Sequence, residues 1–273
     1  MMEILKAILF GIVEGITEWL PISSTGHMIL LNEVVSLNVS DQFYEMFQVV
    51  VQLGAIMAVV ILFWDKLWPF EKKKGIQWKD GAIDMWLKII VACLPAAVVG
   101  VLFDEKIDEL FYHPITVAVA LIVVGVMFII VETMHRDKQP ICNSIREMSY
   151  KMVLIIGLFQ LLAAIFPGTS RSGATIIGAL LIGVSRTVAA EFTFLLGVPV
   201  MFGASLLKVV KFALNGFTMT GLEWLILIIG TLTAFLVSAI VIKWLMGYIK
   251  KHDFKIFGYY RIVLGIVVIL VLV

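Results

Sequence analysis

Long apolar runs separated by short polar loops dominate the chain, with neither the alternation of a half-buried strand nor the one-sided stripe of a surface helix. A helix needs about 20 apolar residues to cross the hydrocarbon core. Six segments meet that requirement, at 42–63, 82–102, 115–132, 187–208, 223–243 and 256–273. Two further stretches, 1–37 and 152–186, are apolar but broken midway. The breaks are Pro21-Ile22-Ser23-Ser24-Thr25-Gly26 and Pro167-Gly168-Thr169-Ser170-Arg171-Ser172-Gly173. The flanking helices are too short to span, which predicts two re-entrant helix–loop–helix hairpins. Irregular backbone at that depth survives only where protein or water satisfies it.

Loop charge orients these segments. Lys66, Lys72, Lys73, Lys74 and Lys79 fall in 64–80, Arg136, Lys138, Arg146 and Lys151 in 133–151, and Lys243, Lys250, Lys251 and Lys255 in 243–255. The 103–114 loop holds Lys106 against Asp104, Glu105, Asp108 and Glu109. Basic short loops stay cytoplasmic, so the first three lie inside and 103–114 outside. The first hairpin then enters from outside and the second from inside. Each is followed by three crossings, an odd number, so the second half is inverted relative to the first.

The prediction is therefore one all-α membrane domain over 1–273, with an inverted-topology repeat of about 1–135 and 150–273. Gln160 precedes Pro167 by seven residues, as Glu14 precedes Pro21. On that register Ser23-Ser24 matches Thr169-Ser170 and Thr25 matches Arg171, and further on Leu53-Gly54-Ala55 matches Phe202-Gly203-Ala204. Inverted repeats with broken helices place their site where the breaks meet, near the bilayer midplane.

Composition agrees. Hydrophobic residues make up 61% of the 273 and charged residues 15%, more apolar surface than a soluble fold of this length hides. The net charge of +1 excludes nucleic-acid binding driven by bulk charge. Two cysteines are too few for a disulfide framework or a cysteine-built metal site. The N-terminus carries no cleavable signal pattern.

The polar residues inside apolar segments carry the candidate chemistry. Glu14 and Glu18 share one helical face a turn apart, and such like charges need a cation, a proton or water beside them. The alternative is a wet helix end. Ser23, Ser24 and Thr25 are N-cap types for a helix resuming near His27. Capping does not account for the imidazole, and Ser24 and His27 are close enough in sequence for a hydroxyl–base contact. Arg171 is the only basic residue between Lys151 and Arg186. It needs either a carboxylate, Glu14 or Glu18, or a phosphate. Gly168 and Gly173 permit close backbone approach, and Ser170, Ser172 and a helix starting near Ala174 add donors, which together form an anion cradle. Glu45, Gln48, Gln52 and Gln160 fit helix–helix hydrogen bonding as well as a catalytic role. Asp84 and Lys88 read as a structural i,i+4 pair.

EGITEWLPISSTGH at 14–27 and PGTSRSGAT at 167–175 resemble the bacterial undecaprenyl-diphosphate phosphatase family, also called bacitracin-resistance proteins. The resemblance covers essentially the whole chain. It implies a multi-pass enzyme of the bacterial inner membrane that converts the C55 lipid diphosphate to the monophosphate carrier for cell-wall synthesis. The site would open to the outer face. Glu14 and Glu18 would be its acidic pair, linked to a divalent cation (Mg²⁺ or Ca²⁺) or to acid–base work. Ser23, Ser24, Thr25 and His27 would form its hydroxyl and histidine loop, and Thr169, Ser170 and Arg171 its phosphate loop; the reading of the residues themselves adds Gly168, Ser172 and Gln160 as candidate substrate-binding positions. Bacitracin would compete indirectly, by binding the lipid substrate. A homodimer is left open. Two other classes share the architecture. An inverted-repeat transporter or flippase would use Arg171 and the glutamates for coupling, and a re-entrant-loop channel would need a selectivity ring, which this residue set does not form.

Overall fold

The computed structural model describes residues 1–72, 76–136 and 138–273. Lys73 and Lys74 of the basic 64–80 loop lie outside the described residues. The first hairpin is α1 (Met2–Thr17) and α2 (Ser24–Val34). Then come α3 (Asp41–Val50), α4 (Gln52–Leu62), the short α5 (Trp64–Leu67) and an antiparallel ribbon of β1 (Phe70–Lys72) and β2 (Ile76–Trp78), with α6 (Ala82–Phe111) and α7 (Pro114–Met134) after it. The second hairpin is α8 (Tyr150–Ile165) and α9 (Arg171–Leu181), followed by α10 (Arg186–Leu214), α11 (Gly221–Tyr248) and α12 (Lys255–Leu272).

Among the described residues, six helical stretches are long and apolar enough to cross a membrane: Asp41–Leu62, Ala82–Phe103, Pro114–Met134, Arg186–Leu214, Gly221–Tyr248 and Lys255–Leu272. They coincide with the six predicted crossings, so the chain is an all-α, multi-pass membrane protein. The first crossing is two helices rather than one, interrupted at Val51.

Packing pairs the two halves crosswise. The re-entrant helix α1 lies along α11, while α8 lies along α6, and α7 faces α12. Small residues permit each approach, because helices in lipid associate by close backbone packing rather than hydrophobic burial. A β carbon on Gly11 would stand 2.5 Å from the Gly230 carbonyl oxygen, and one on Gly157 2.6 Å from that of Ala92. Gly125 and Gly258 are reciprocal: each added β carbon would stand 2.7 Å from the other's carbonyl oxygen.

The register between the two loops differs by one residue from the predicted match. Ser23 and Ser170 are the N-caps of α2 and α9, and each hydroxyl accepts from a glycine N–H three residues on, Gly26 at 3.3 Å and Gly173 at 3.2 Å. They are also the only non-glycine residues of positive φ among those described, at 72° and 67°. Ser23 thus corresponds to Ser170 and Ser24 to Arg171. The extra residue is absorbed in the turn after Pro167, where Gly168 adopts φ 89°. Both helices start earlier than the sequence suggested, at Ser24 and Arg171, because the serines cap from outside the positions assumed. The match of Gly54 with Gly203 does not extend to packing: Gly54 abuts the Thr231 backbone, whereas nothing lies within 4 Å of a β carbon on Gly203.

On the predicted cytoplasmic side, a buried carboxylate ties the halves together. Glu132 on α7 accepts from Arg186 Nε at 2.9 and 3.0 Å and from the Phe254 N–H at 3.0 Å. Lys88, also buried, pairs with Asp84 at 2.7 Å and donates to the Ile145 and Arg146 carbonyls. Removing one partner of a buried pair costs about 3 kcal/mol or more. Glu132→Ala is therefore expected to lower the unfolding temperature of the detergent-solubilised protein by several degrees, and an unchanged melting curve would remove Glu132 from the clamp.

Candidate active site

The tips of the two hairpins meet, and the residues that begin α2 and α9 face a common carboxylate. Glu18, just past the end of α1, is 7% exposed. Its Oε2 accepts from Ser24 Oγ at 2.7 Å, and its Oε1 accepts from Arg171 Nη2 at 3.1 Å. Glu18 is therefore shared between a hydroxyl from the first loop and a guanidinium from the second. Ser24 and Arg171 are the first residues of their helices. Two helix N-termini, each with unpaired N–H groups and a positive dipole end, thus converge on one place, which favours an anion there.

Arg171 is held on all sides. Nη1 donates to the Thr193 carbonyl at 3.0 Å, and the guanidinium lies 5.6 Å from the Trp19 ring. Its buried Nε has no partner. Gly197 on α10 makes the room: a β carbon there would stand 2.8 Å from the guanidinium nitrogens. Thr175 and Thr193 share a 2.8 Å hydroxyl contact beneath it. The carboxylate that Arg171 meets is Glu18 rather than Glu14.

Glu14 lies one turn earlier on α1 and is 1% exposed. Neither of its carboxylate oxygens has a hydrogen-bond partner. A buried carboxylate left this way requires a proton or a cation. Its nearest like neighbour, Glu18, offers oxygens already bonded to Ser24 and Arg171. A divalent ion bound through one or two carboxylates and completed by phosphate or water oxygens fits this donor set. Among the described residues no cluster of three or more acidic, histidine or cysteine side chains forms a closed metal cage.

His27 contacts a different residue from the one its spacing suggested. Its Nδ1 lies 2.7 Å from the Ser23 carbonyl oxygen, which only accepts, so Nδ1 carries the hydrogen. Nε2 therefore accepts from the Tyr260 hydroxyl at 2.7 Å. The expected Ser24–His27 contact is replaced, because Ser24 turns toward Glu18 and His27 turns toward the loop carbonyl and α12.

The other predicted residues distribute between loop and scaffold. Ser172 donates to the Glu18 carbonyl at 3.2 Å and touches Ser170 Oγ at 3.1 Å, fastening one tip to the other. Gly168 and Thr169 contribute carbonyls, described below. Thr25 is half-buried on the first turn of α2. Gln160 is buried on α8 and donates to the Ala92 carbonyl at 3.3 Å, three residues before Pro95 in α6. That bond is of the helix–helix kind weighed for it. Glu45 lines a surface hollow of about 310 Å³ with Gln42, Lys208 and Lys211, apart from the loop residues.

Sequence reasoning missed α12. Arg261 is wholly buried and donates to Pro21 O at 3.2 Å, to Gly168 O at 2.8 Å and to Thr169 O at 2.9 Å. One guanidinium thus fixes both loops. The available signal was a basic residue inside the 256–273 crossing, where a charge is costly unless it is used.

A family model described as bacitracin resistance protein BacA matches residues 7–267. The undecaprenyl-diphosphatase of Desulfitobacterium hafniense is 61% identical over 270 residues, covering 99% of this chain and 96% of that protein. That of Acetivibrio thermocellus is also 61% identical, covering 99% and 98%. An Enterococcus faecalis undecaprenyl-diphosphatase is 56% identical, covering 98% and 97%.

Replacing Arg261 with Leu leaves three buried carbonyls without a donor, each an unmet desolvation cost of about 1–3 kcal/mol. Arg261→Leu is expected to melt well below the wild type, with Arg261→Lys recovering part of the loss. Equal melting temperatures for all three proteins would show that the loops do not depend on it.

Proposed function

The chain belongs to the bacitracin resistance protein BacA family, and on that premise we infer that it is a membrane phosphatase that hydrolyses undecaprenyl diphosphate to undecaprenyl phosphate and inorganic phosphate. The observation that carries the reading is the Ser24–Glu18–Arg171 chain, which sets a hydroxyl, its proton acceptor and a cation side by side at two helix N-termini.

The diphosphate head group enters between the hairpin tips while the isoprenoid tail stays in lipid. Arg171 and the first N–H groups of α2 and α9 neutralise phosphate charge, the main task in phosphoryl transfer. Ser24 Oγ attacks the terminal phosphorus, and its proton passes to Glu18 Oε2, its partner at 2.7 Å. The Oγ–P bond forms as the bridging P–O bond breaks, and the lipid monophosphate leaves. Water then attacks the phosphoserine and gives a proton to His27 Nε2; the Oγ–P bond breaks, Ser24 Oγ takes its proton back from Glu18, and phosphate departs. Glu18 rather than His27 is thus the base for the first step. Glu14 and Glu18 would hold the divalent cation, Mg²⁺ or Ca²⁺. When bound, such an ion supplies positive charge against the diphosphate oxygens.

We further propose that the site opens to the outer face, from the basic loops at 64–80, 133–151 and 243–255 and the acidic 103–114 segment, which is mostly the end of α6. Bacitracin acts on this reaction by sequestering the lipid diphosphate.

Purified protein in detergent is expected to release inorganic phosphate from undecaprenyl diphosphate without any gradient; no release would point to a carrier. His27→Ala and Arg171→Ala are expected to fold and to lose more than about a hundredfold in turnover. Near-normal phosphate release by either would remove that residue from the mechanism. Substrate radiolabelled on the terminal phosphate should leave label on Ser24 after rapid quenching, and label on His27 would reassign the nucleophile. A cysteine placed within 103–114 should react with an impermeant thiol reagent from outside, and one at 66 should not; the opposite result would invert the topology.

A further inference from the structure

We propose that Tyr260 is a positioning residue for the reaction, acting through His27. The inference rests on the phosphatase reading above and adds to it a residue that neither sequence motif contains.

Two neighbouring residues of α12 reach the site, and they do different things. Arg261 is buried and binds the carbonyls of both loops, so the register of α12 against the hairpin tips is fixed at this point. The Gly125–Gly258 approach fixes it again one turn earlier. Tyr260, the residue before Arg261, is 45% exposed and turns toward the first loop. Its hydroxyl donates to His27 Nε2 at 2.7 Å, and its ring lies parallel to the imidazole, with 5.6 Å between centroids and 4° between planes.

These contacts give the imidazole a single orientation. The bond from Nδ1–H to the Ser23 carbonyl fixes which nitrogen carries the hydrogen but leaves the ring free to swing about that one contact. The Tyr260 hydroxyl is the second anchor, and it fixes the direction of the Nε2 lone pair. Nε2 is the atom that must take a proton in the hydrolytic step, and a base must be aimed within hydrogen-bond reach of that proton. Ser23, which supplies the other anchor, is one of the two strained caps, so the imidazole is held between a loop of unusual backbone and a helix pinned by Arg261. The hydroxyl gives way to water or substrate when the head group arrives.

The test is Tyr260→Phe, which keeps the ring and removes the hydroxyl. Turnover is expected to fall about tenfold with KM within about twofold, since the lost contact acts on a reacting group and not on ground-state binding. In a His27→Ala background the same substitution should cost less than about twofold, because residues acting as one unit are not additive. Tyr259→Phe, altering the exposed neighbour, should leave turnover unchanged. A second readout needs no activity: diethyl pyrocarbonate labels the free imidazole nitrogen, and His27 should be labelled several-fold faster in Y260F than in the wild type. Full turnover in Y260F, an equal loss in both backgrounds, or an unchanged labelling rate would each overturn the proposal. If His27→Ala keeps full activity, the assigned base is wrong, while the labelling rate still reads the Tyr260 contact by itself. Should Y260F melt early, Tyr260→Met carries the same measurements.

Discussion

Two helix–loop–helix hairpins meet tip to tip, and the backbone groups of their irregular tips need partners inside the protein. Their hydrogen bonds to each other and to α12 meet that constraint. Glu18 accepts from Ser24 on its own loop and from Arg171 on the other, Ser172 donates back to the Glu18 carbonyl, and Arg261 takes carbonyls from both. Backbone groups that would be costly orphans at this depth are thereby paired. The same pairing gathers two helix N-termini, a hydroxyl, a carboxylate and a guanidinium in one place. The bonds that hold the fold together at its centre also gather the groups of the proposed mechanism.

The two halves are alike in backbone and unlike in residues. Each tip turns through a capping serine of positive φ into a helix, and each re-entrant helix lies along a crossing helix of the other half. The polar groups, however, are divided. The first tip carries Glu14, Glu18, Ser24 and His27, and the second carries Arg171 and Ser172, while Gln160 occupies the place of Glu14 and serves a helix contact. A symmetric scaffold with an asymmetric residue set places acid–base groups opposite a cation, an arrangement suited to a substrate with a charged head and a single leaving group. Glu14 stands apart in this set: it is buried, and neither of its carboxylate oxygens has a hydrogen bond.

The crossings were legible because lipid imposes a simple rule on composition. Twenty consecutive apolar residues have few alternatives to a spanning helix, and the six predicted segments agree with the helices to within a few residues, apart from the longer α6, α10 and α11. The clusters at Pro21 and Pro167 were legible for the complementary reason, since proline, glycine and hydroxyl residues inside an apolar run must break it. The loop register was not legible. Matching the prolines placed Thr25 opposite Arg171, whereas the caps place Ser24 there, because one extra residue is taken up by Gly168 in a conformation that a residue list does not show.

Sequence alone determined the membrane class, the number of crossings, the two hairpins and the identity of the residues at their tips, since each follows from local composition and spacing. Only tertiary structure decided who bonds to whom. Ser24 and His27 are three residues apart, yet one turns to Glu18 and the other to Tyr260, 233 residues away in sequence. Arg171 had two carboxylates to choose from and met the one that packing set beside Thr193 and Gly197. Tyr260 and Arg261 carried no motif, and their part depends on the close approach of α7 and α12 at two glycines. Partner choice among polar groups is set by the positions of helices distant in the chain, and no local pattern encodes those positions.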